Sequence, residues 1–233
     1  MKNRPLDVIV SILVVLLIPV FFVSAGAIVP CSARGFYYAC IDPLHIPQES
    51  GYTREEIVEA YDDVMDYIWK GAEFKTGKMR WSEEGKAHFE DSAPLLRMQA
   101  VLLAVSGFLL LAYLMLRRLN VLRPVRFGGL PALAWGGILT LALTAFVGIF
   151  AAVDFDKLFD VFHYVFFPGK TNWVFNPYTD QVVNILPESF FAVCAGYIAG
   201  VIVLLSVLSV AAGAVVKRRE TRARPVEPAE LTE

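Results

Sequence analysis

The sequence predicts an all-α integral membrane protein, with four transmembrane helices and two outer loops that carry amphipathic or interfacial helices. Three observations predict it. Hydrophobic residues make up 56% of the chain and charged residues only 19%, below the roughly 25% charged content of an ordinary soluble domain. Four stretches reach the length of about 20 apolar residues that a helix needs to cross a bilayer. Basic residues gather in three clusters that fall on one side if all four stretches cross.

The spans are expected at 8–28, 98–116, 130–153 and 190–216, and none carries a charged side chain. Backbone polar groups in hydrocarbon must be satisfied within the segment, so each span should be helical. The first span has a basic start, Lys2 and Arg4, but exceeds the usual h-region of a cleaved signal. Pro30 also precedes Cys31, where a lipoprotein signal would place a small residue. It is therefore expected to stay as an anchor. Lys2 and Arg4, then Arg117, Arg118, Arg123 and Arg126, then Lys217, Arg218, Arg219, Arg222 and Arg224 form the basic clusters. The positive-inside rule puts them, and both termini, in the cytoplasm. The predicted organisation is an N-terminal end with the first span (1–28), a first outer loop (29–97), a second and third span around a basic loop (98–153), an aromatic second outer loop (154–189), a fourth span (190–216) and a cytoplasmic tail (217–233). From Arg222 to Glu233 the tail is rich in Pro and charge and is expected to be disordered.

In the first outer loop, Cys31 and Cys40 are expected to form a disulfide that closes a small ring, the alternative being two unpaired thiols. Thr53 and Glu56 make a capping box, and Ile57, Tyr61, Val64, Met65 and Ile68 recur at helical spacing up to Gly71. That amphipathic helix is expected to pack on the membrane surface or on the other loop. Pro94 is expected to open the second membrane helix at its first turn. In the second outer loop Phe155, Phe159, Phe162, Phe166 and Phe167 lie mostly on one helical stripe, followed by Trp173, Phe175 and Tyr178. Such aromatic belts mark the membrane–water interface.

Candidates for chemistry are few. Of three histidines, His45 lies in a Pro-bounded loop and reads as surface structure. His88 precedes the second span and His163 follows the third, so both can reach the outer interface. Asp91, three residues beyond His88, shares its helical face. Asn172, Trp173, Asp180 and Glu188 complete the polar groups of the aromatic loop. An interfacial or capping role competes with a chemical one for each of these residues. There is no Gly-rich phosphate loop or nucleophile elbow. A His88, His163 and carboxylate set is only a weak metal alternative, and no metal or other cofactor is expected. Spans without ionisable groups argue against ion-coupled transport. A net charge of −2 points to no nucleic-acid partner.

Phe162-His163-Tyr-Val-Phe166-Phe167, Asn172-Trp173-Val-Phe175-Asn-Pro177-Tyr-Thr-Asp180 and Leu186-Pro187-Glu188-Ser-Phe190-Phe191 together resemble the signature of a four-helix bacterial membrane family, the lipoprotein intramolecular transacylases. His88-Phe-Glu-Asp91 is similar to that family's His-x-x-Asp element. The sequence departs from the pattern at Asn176, where an acidic residue is expected, at Gln181, where Pro is expected, and across Ser92-Ala93-Pro94. The resemblance implies an acyltransferase of the bacterial cytoplasmic membrane with an extracytoplasmic site, acting on diacylated lipoprotein N-termini. The sn-2 acyl chain of the diacylglyceryl cysteine would move to that residue's own α-amino group, giving the lyso form. On this expectation His88 and His163 act as acid and base and Asp91 orients His88. Asn172, the Trp173 indole or backbone amides stabilise the oxyanion, and Asp180 and Glu188 support the site. A non-catalytic membrane scaffold or sensor and a metal-dependent lipid hydrolase are the alternatives.

Overall fold

The computed structural model describes residues 4–123 and 125–223, and four of its helices are long and apolar enough to cross a membrane. These are α1 (Pro5–Ser32), α5 (Glu83–Arg118), α6 (Ala132–Val153) and α8 (Glu188–Ala223). Helix α1 is the hub: it packs against α5, α6 and α8, while α6 packs against α8. Its buried stripe of Val14, Ile18 and Phe22 meets Leu110 and Tyr113 of α5 and Ala132 of α6. Lipid competes with apolar side chains on equal terms, so close backbone approach at small residues matters here. At Gly136 of α6 an added Cβ would lie 2.5 Å from the Ile18 Cβ. Lipid-sized apolar side chains such as Phe108, Leu111, Phe146 and Ile149 point outward, as a membrane-facing surface requires.

One end of the bundle is basic. There Asp7, buried in the first turn of α1, accepts a hydrogen bond from the Arg123 amide at 3.0 Å. The connection between α5 and α6 includes a two-residue hairpin, β1 (Arg126–Phe127) paired with β2 (Leu130–Pro131). Gly128 and Gly129 at its tip have φ of 58° and 82°, the sign that such a turn demands at both central positions. The expected tail is helical through Ala223 within α8. Lys2, Arg224 and the rest of the tail to Glu233 lie outside the described residues.

The opposite end carries a polar head with its own core. After α1 the chain turns at Ala33 into α2 (Arg34–Ile41), then α3 (Ile46–Ser50) and α4 (Arg54–Lys70). Thr53 and Glu56 form the capping box of α4, and Gly71 ends it at φ 69°. The stripe of Ile57, Tyr61, Val64, Met65 and Ile68 is buried, together with Tyr37, Phe74, Phe89, Val182, Ile185 and Phe190. Both loops therefore contribute to one core, and α4 packs on protein, including the 3-10 turn Gln181–Ile185, rather than flat on a membrane. The Tyr37 hydroxyl donates to the Ile185 carbonyl at 2.6 Å across the two loops. Tyr37 and Tyr61 stack with ring centroids 3.9 Å apart.

Cys31 and Cys40, the pair expected to bridge, are unbridged thiols in this structure. Cys31 lies in the last turn of α1 and Cys40 in the last turn of α2, a helix held by Tyr37 and Ile41 in the head core. Pro94 does not begin the second membrane helix but lies inside α5, which starts at Glu83 and runs for 36 residues. A proline in a helix leaves the carbonyl four residues back without its amide. Here that residue is Glu90, and both Glu90 and Pro94 are exposed, so solvent can satisfy the carbonyl.

Candidate active site

The N-terminal extension of α5 decides where His88 sits. Ser82 caps the helix, its hydroxyl accepting from the Gly85 amide at 3.0 Å. The Ser82 amide and hydroxyl in turn donate to Asp180 Oδ1 at 2.8 and 2.7 Å, and the Thr179 hydroxyl donates to Oδ2 at 2.9 Å. A side chain at Gly85 would overlap the Asp180 carboxylate. Asp180 is thus a buried clamp between the second loop and α5. Gln181 extends it: its backbone amide donates to the Arg80 carbonyl at 2.9 Å, and its side-chain oxygen accepts from the Arg80 amide at 2.8 Å. Proline at this position would have no amide to donate, so the departure at Gln181 adds a bond. Asn176, the other departure in this loop, accepts from the Tyr178 amide at 3.0 Å and shapes the turn.

His163 is carried by α7 (Phe155–Phe166), a short helix capped by Asp154 and packed on α6. Its outer face exposes Val161, Phe162, Tyr164, Val165 and Phe166, while His163 alone is buried. This is the face expected of a helix lying in an interface. His163 Nδ1 lies 2.8 Å from the Phe159 carbonyl. A carbonyl only accepts, so Nδ1 carries the proton and Nε2 the lone pair. Trp173 stacks on the imidazole at 4.6 Å and 22°.

The two imidazoles come together, with ring centroids 5.7 Å apart. Phe167 and Phe175 pack edge-on against His88 at 5.0 and 5.4 Å, and Phe159 lies 4.3 Å from His163. This aromatic enclosure keeps both rings neutral. Burial first, then the neighbouring His163, pushes His88 down to about 4, although Asp91 and Asn172 pull it up. Burial also lowers His163, against the upward pull of the Phe159 carbonyl and Asp160.

Polar support comes from the second loop. Asp91 Oδ2 accepts from Asn172 Nδ2 at 2.9 Å, and its other oxygen accepts from the Lys170 ammonium. His88 Nδ1 and Asn172 Oδ1 are both buried without a partner of standard geometry. Asn172 nevertheless stands close enough to His88 to raise its pKa. A donor and an acceptor left over in adjacent groups complement each other. Asp91 thus holds Asn172, which stands beside His88.

The expected side-chain oxyanion donors each make one hydrogen bond in this structure. Asn172 Nδ2 serves Asp91, and the Trp173 indole donates to the Lys170 carbonyl at 3.2 Å. Glu188, exposed in the first turn of α8, meets the Asp156 carboxyl, which raises its pKa, and contacts neither imidazole. His45 is exposed in a left-handed conformation before α3. Two groups were missed in the sequence. Lys170 had no helical pattern to mark it. Ser92, whose hydroxyl lies 3.3 Å from His88 Nε2, could have been found from its i, i+4 spacing. Among the described residues no three His, Cys, Asp or Glu side chains converge to hold a metal.

Fold and site together define a polytopic helical membrane protein with a paired-imidazole centre where its head meets the bundle. The family model for lipoprotein intramolecular transacylase Lit matches residues 11–191. The chain belongs to that family, which is a family of acyltransferases. An uncharacterised protein of Aquifex aeolicus is 26% identical over 144 residues, 59% of this chain and 61% of that one. The match thus spans less than two thirds of that relative. The in meso structure of the membrane-integral lipoprotein intramolecular transacylase Lit from Bacillus cereus superposes with a TM-score of 0.80 at 23% identity, covering 94% of this chain and 99% of that one. A variant of the same protein with a histidine replaced by alanine gives a TM-score of 0.75 at 22% identity, covering 94% and 96%.

Proposed function

We propose that this chain converts diacylated bacterial lipoproteins to the lyso form by moving the sn-2 acyl chain of the diacylglyceryl cysteine to its own α-amino group. The observation that carries the reading is a pair of neutral imidazoles, 5.7 Å apart, in an aromatic enclosure beside the membrane bundle. The amine nitrogen attacks the ester carbonyl carbon and forms the C–N bond. His163 Nε2, with its lone pair fixed by the Nδ1 bond to Phe159, takes the amine's proton. The C–O bond then breaks, and the glycerol oxygen receives a proton from an imidazole, so the enzyme ends as it began. Amine and ester lie in one molecule, and attack closes a ring of about eight atoms. Holding that folded headgroup is the larger task, since oriented intramolecular reactions gain roughly 7–11 kcal/mol. The aromatic shell excludes water and favours aminolysis over hydrolysis.

The basic end of the bundle belongs in the cytoplasm by the positive-inside rule, with both termini there and the head outside. Mature lipoprotein N-termini and membrane lipid meet the head on that side. The decisive experiment expresses the chain in cells whose lipoproteins remain diacylated and determines lipoprotein N-termini by mass spectrometry. N-acyl, S-monoacylglyceryl cysteine is expected, and its absence despite membrane expression would overturn the reading.

Because both imidazoles are lowered from the ordinary midpoint of about 6.5, His88 to about 4, the acid limb of the rate against pH lies below that midpoint. The sign is fixed by linkage: a depressed imidazole takes its proton less readily in the folded protein than in the unfolded chain. Stability from these histidines is therefore present at neutral pH and lost as pH falls from about 6.5 towards the His88 value of about 4. Initial rates on a synthetic diacylated lipopeptide across this range provide the check.

A second reading has one observation behind it. Ser92 Oγ near His88 Nε2 could accept the acyl chain first, giving an acyl-enzyme. Direct transfer predicts that Ser92→Ala keeps the rate within about threefold, the scale of one neutral hydrogen bond. A loss of roughly 10³-fold, with an acyl-Ser92 peptide trapped in the wild-type protein, would favour the two-step route.

A further inference from the structure

We infer that Asp91 is the subsite for the substrate's α-ammonium, and that Lys170 occupies it as an internal stand-in until the substrate displaces it. The inference rests on the reading that a free α-amine is the nucleophile. An α-amine has an ordinary pKa of about 7.7–8.0, so it arrives largely as a cation and must be held as one before it is deprotonated. Two neutral imidazoles in an aromatic shell offer a cation a lone pair and ring faces but no counter-charge. Two carboxylates act on the pair, Asp160 on His163 and Asp91 on His88; Asp91 stands one turn beyond His88 on α5 and already holds an ammonium.

The state of Asp91 matches such a subsite. One oxygen is held by Asn172, which is half-buried and linked to His88. The other is held by an ammonium, from Lys170. The two partners differ in how firmly they are placed. Lys170 follows Gly169, a turn residue at φ 76°, and its side chain is 48% exposed against 23% for Asp91. An ion pair this open is worth little, so an incoming ammonium exchanges for it at small cost. Exchange would leave Asn172 and His88 in place and put the reacting nitrogen where Lys170 Nζ now lies. The bound ammonium sheds two protons. The first leaves to solvent by way of an imidazole, which frees the amine from Asp91. The second passes through His163 to the glycerol oxygen that an imidazole protonates, so Lys170 can return as the neutral amide product leaves.

Binding tests this apart from turnover. Dialkylglyceryl-cysteinyl peptides, with ether links that cannot transfer an acyl group, are prepared with a free and with an acetylated N-terminus. Their affinities are measured on the full-length protein in lipid nanodiscs. The free amine should bind the wild type about tenfold more tightly than the acetylated form, the scale of one charge-assisted contact. Lys170→Met should widen that preference by about threefold, because a competitor is removed, and Asp91→Asn should abolish it. Equal binding of the two peptides to wild type overturns the inference. So does weaker binding of the free amine by Lys170→Met, a result that Asp91→Asn need not fold to provide. If the preference stands but the diacyl peptide yields no N-acyl product, the subsite holds and the proposed reaction fails.

Discussion

Replacing His163 with alanine should lower acyl transfer by roughly 10²–10⁴-fold, the usual worth of a positioned acid or base, with little change in membrane expression. His163 is buried at one point on a short helix whose remaining outer face is exposed. Its loss removes a base and a stacking partner of Trp173 but no hydrogen bond that holds α7 to its neighbours, because Nδ1 bonds within the helix to Phe159. His88→Ala should cost as much, and the double variant little more, since in the proposed reaction the two act on one proton path. Lipoprotein N-terminal mass spectrometry in cells, beside immunoblots of the membrane fraction, makes the measurement. Near-wild-type conversion in both single variants would exclude the dyad and favour a scaffold or sensor role for the head.

Asp180→Ala should be as damaging, by a different route. The carboxylate is 5% exposed and accepts from the Ser82 amide, the Ser82 hydroxyl and the Thr179 hydroxyl. Truncation leaves the two Ser82 donors without this acceptor and opens a space opposite Gly85. Hydrogen bonds to a charged group are worth about 1.5–3 kcal/mol each, and the group acts as a unit, so a loss of about 2–4 kcal/mol is expected. His88 lies less than two turns into the helix that this clamp begins. Activity should therefore fall together with thermal stability, whereas His163→Ala separates the two. Asp180→Asn keeps an acceptor for Ser82 and should recover part of both. A stable but inactive Asp180→Ala protein would mean that the residue acts on chemistry rather than as a clamp.

Several features were legible because they depend on local patterns. The four spans follow from length and polarity. The capping box at Thr53 and Glu56 and the stop at Gly71 follow from backbone bonding within one helix. The stripe from Ile57 to Ile68 correctly marked a buried face, but periodicity says only that a face is covered, not by what. Its cover comes from Val182, Ile185 and Phe190, more than a hundred residues away. Pro94 misled for a related reason. Its preference for a first turn is a local tendency, overridden because Ser82 and Asp180 start the helix earlier and solvent serves the Glu90 carbonyl. His88 and His163 could be placed near the same membrane face from their distances to the spans. Their partners Lys170 and Asn172 could not, because a loop has no period from which to read direction.

The shared head core also has a consequence for how the protein is made. Tyr37 finds its acceptor on Ile185, Ser82 finds its carboxylate on Asp180, and the stripe of α4 is completed by Val182 and Phe190. A nascent chain that has produced α1, α5 and α6 holds the first of these partners without the second. Its first loop must wait, incompletely buried, until the segment before α8 arrives. Biogenesis therefore has a late commitment step, and chains cut short after α6 should be degraded rather than accumulate as three-helix forms.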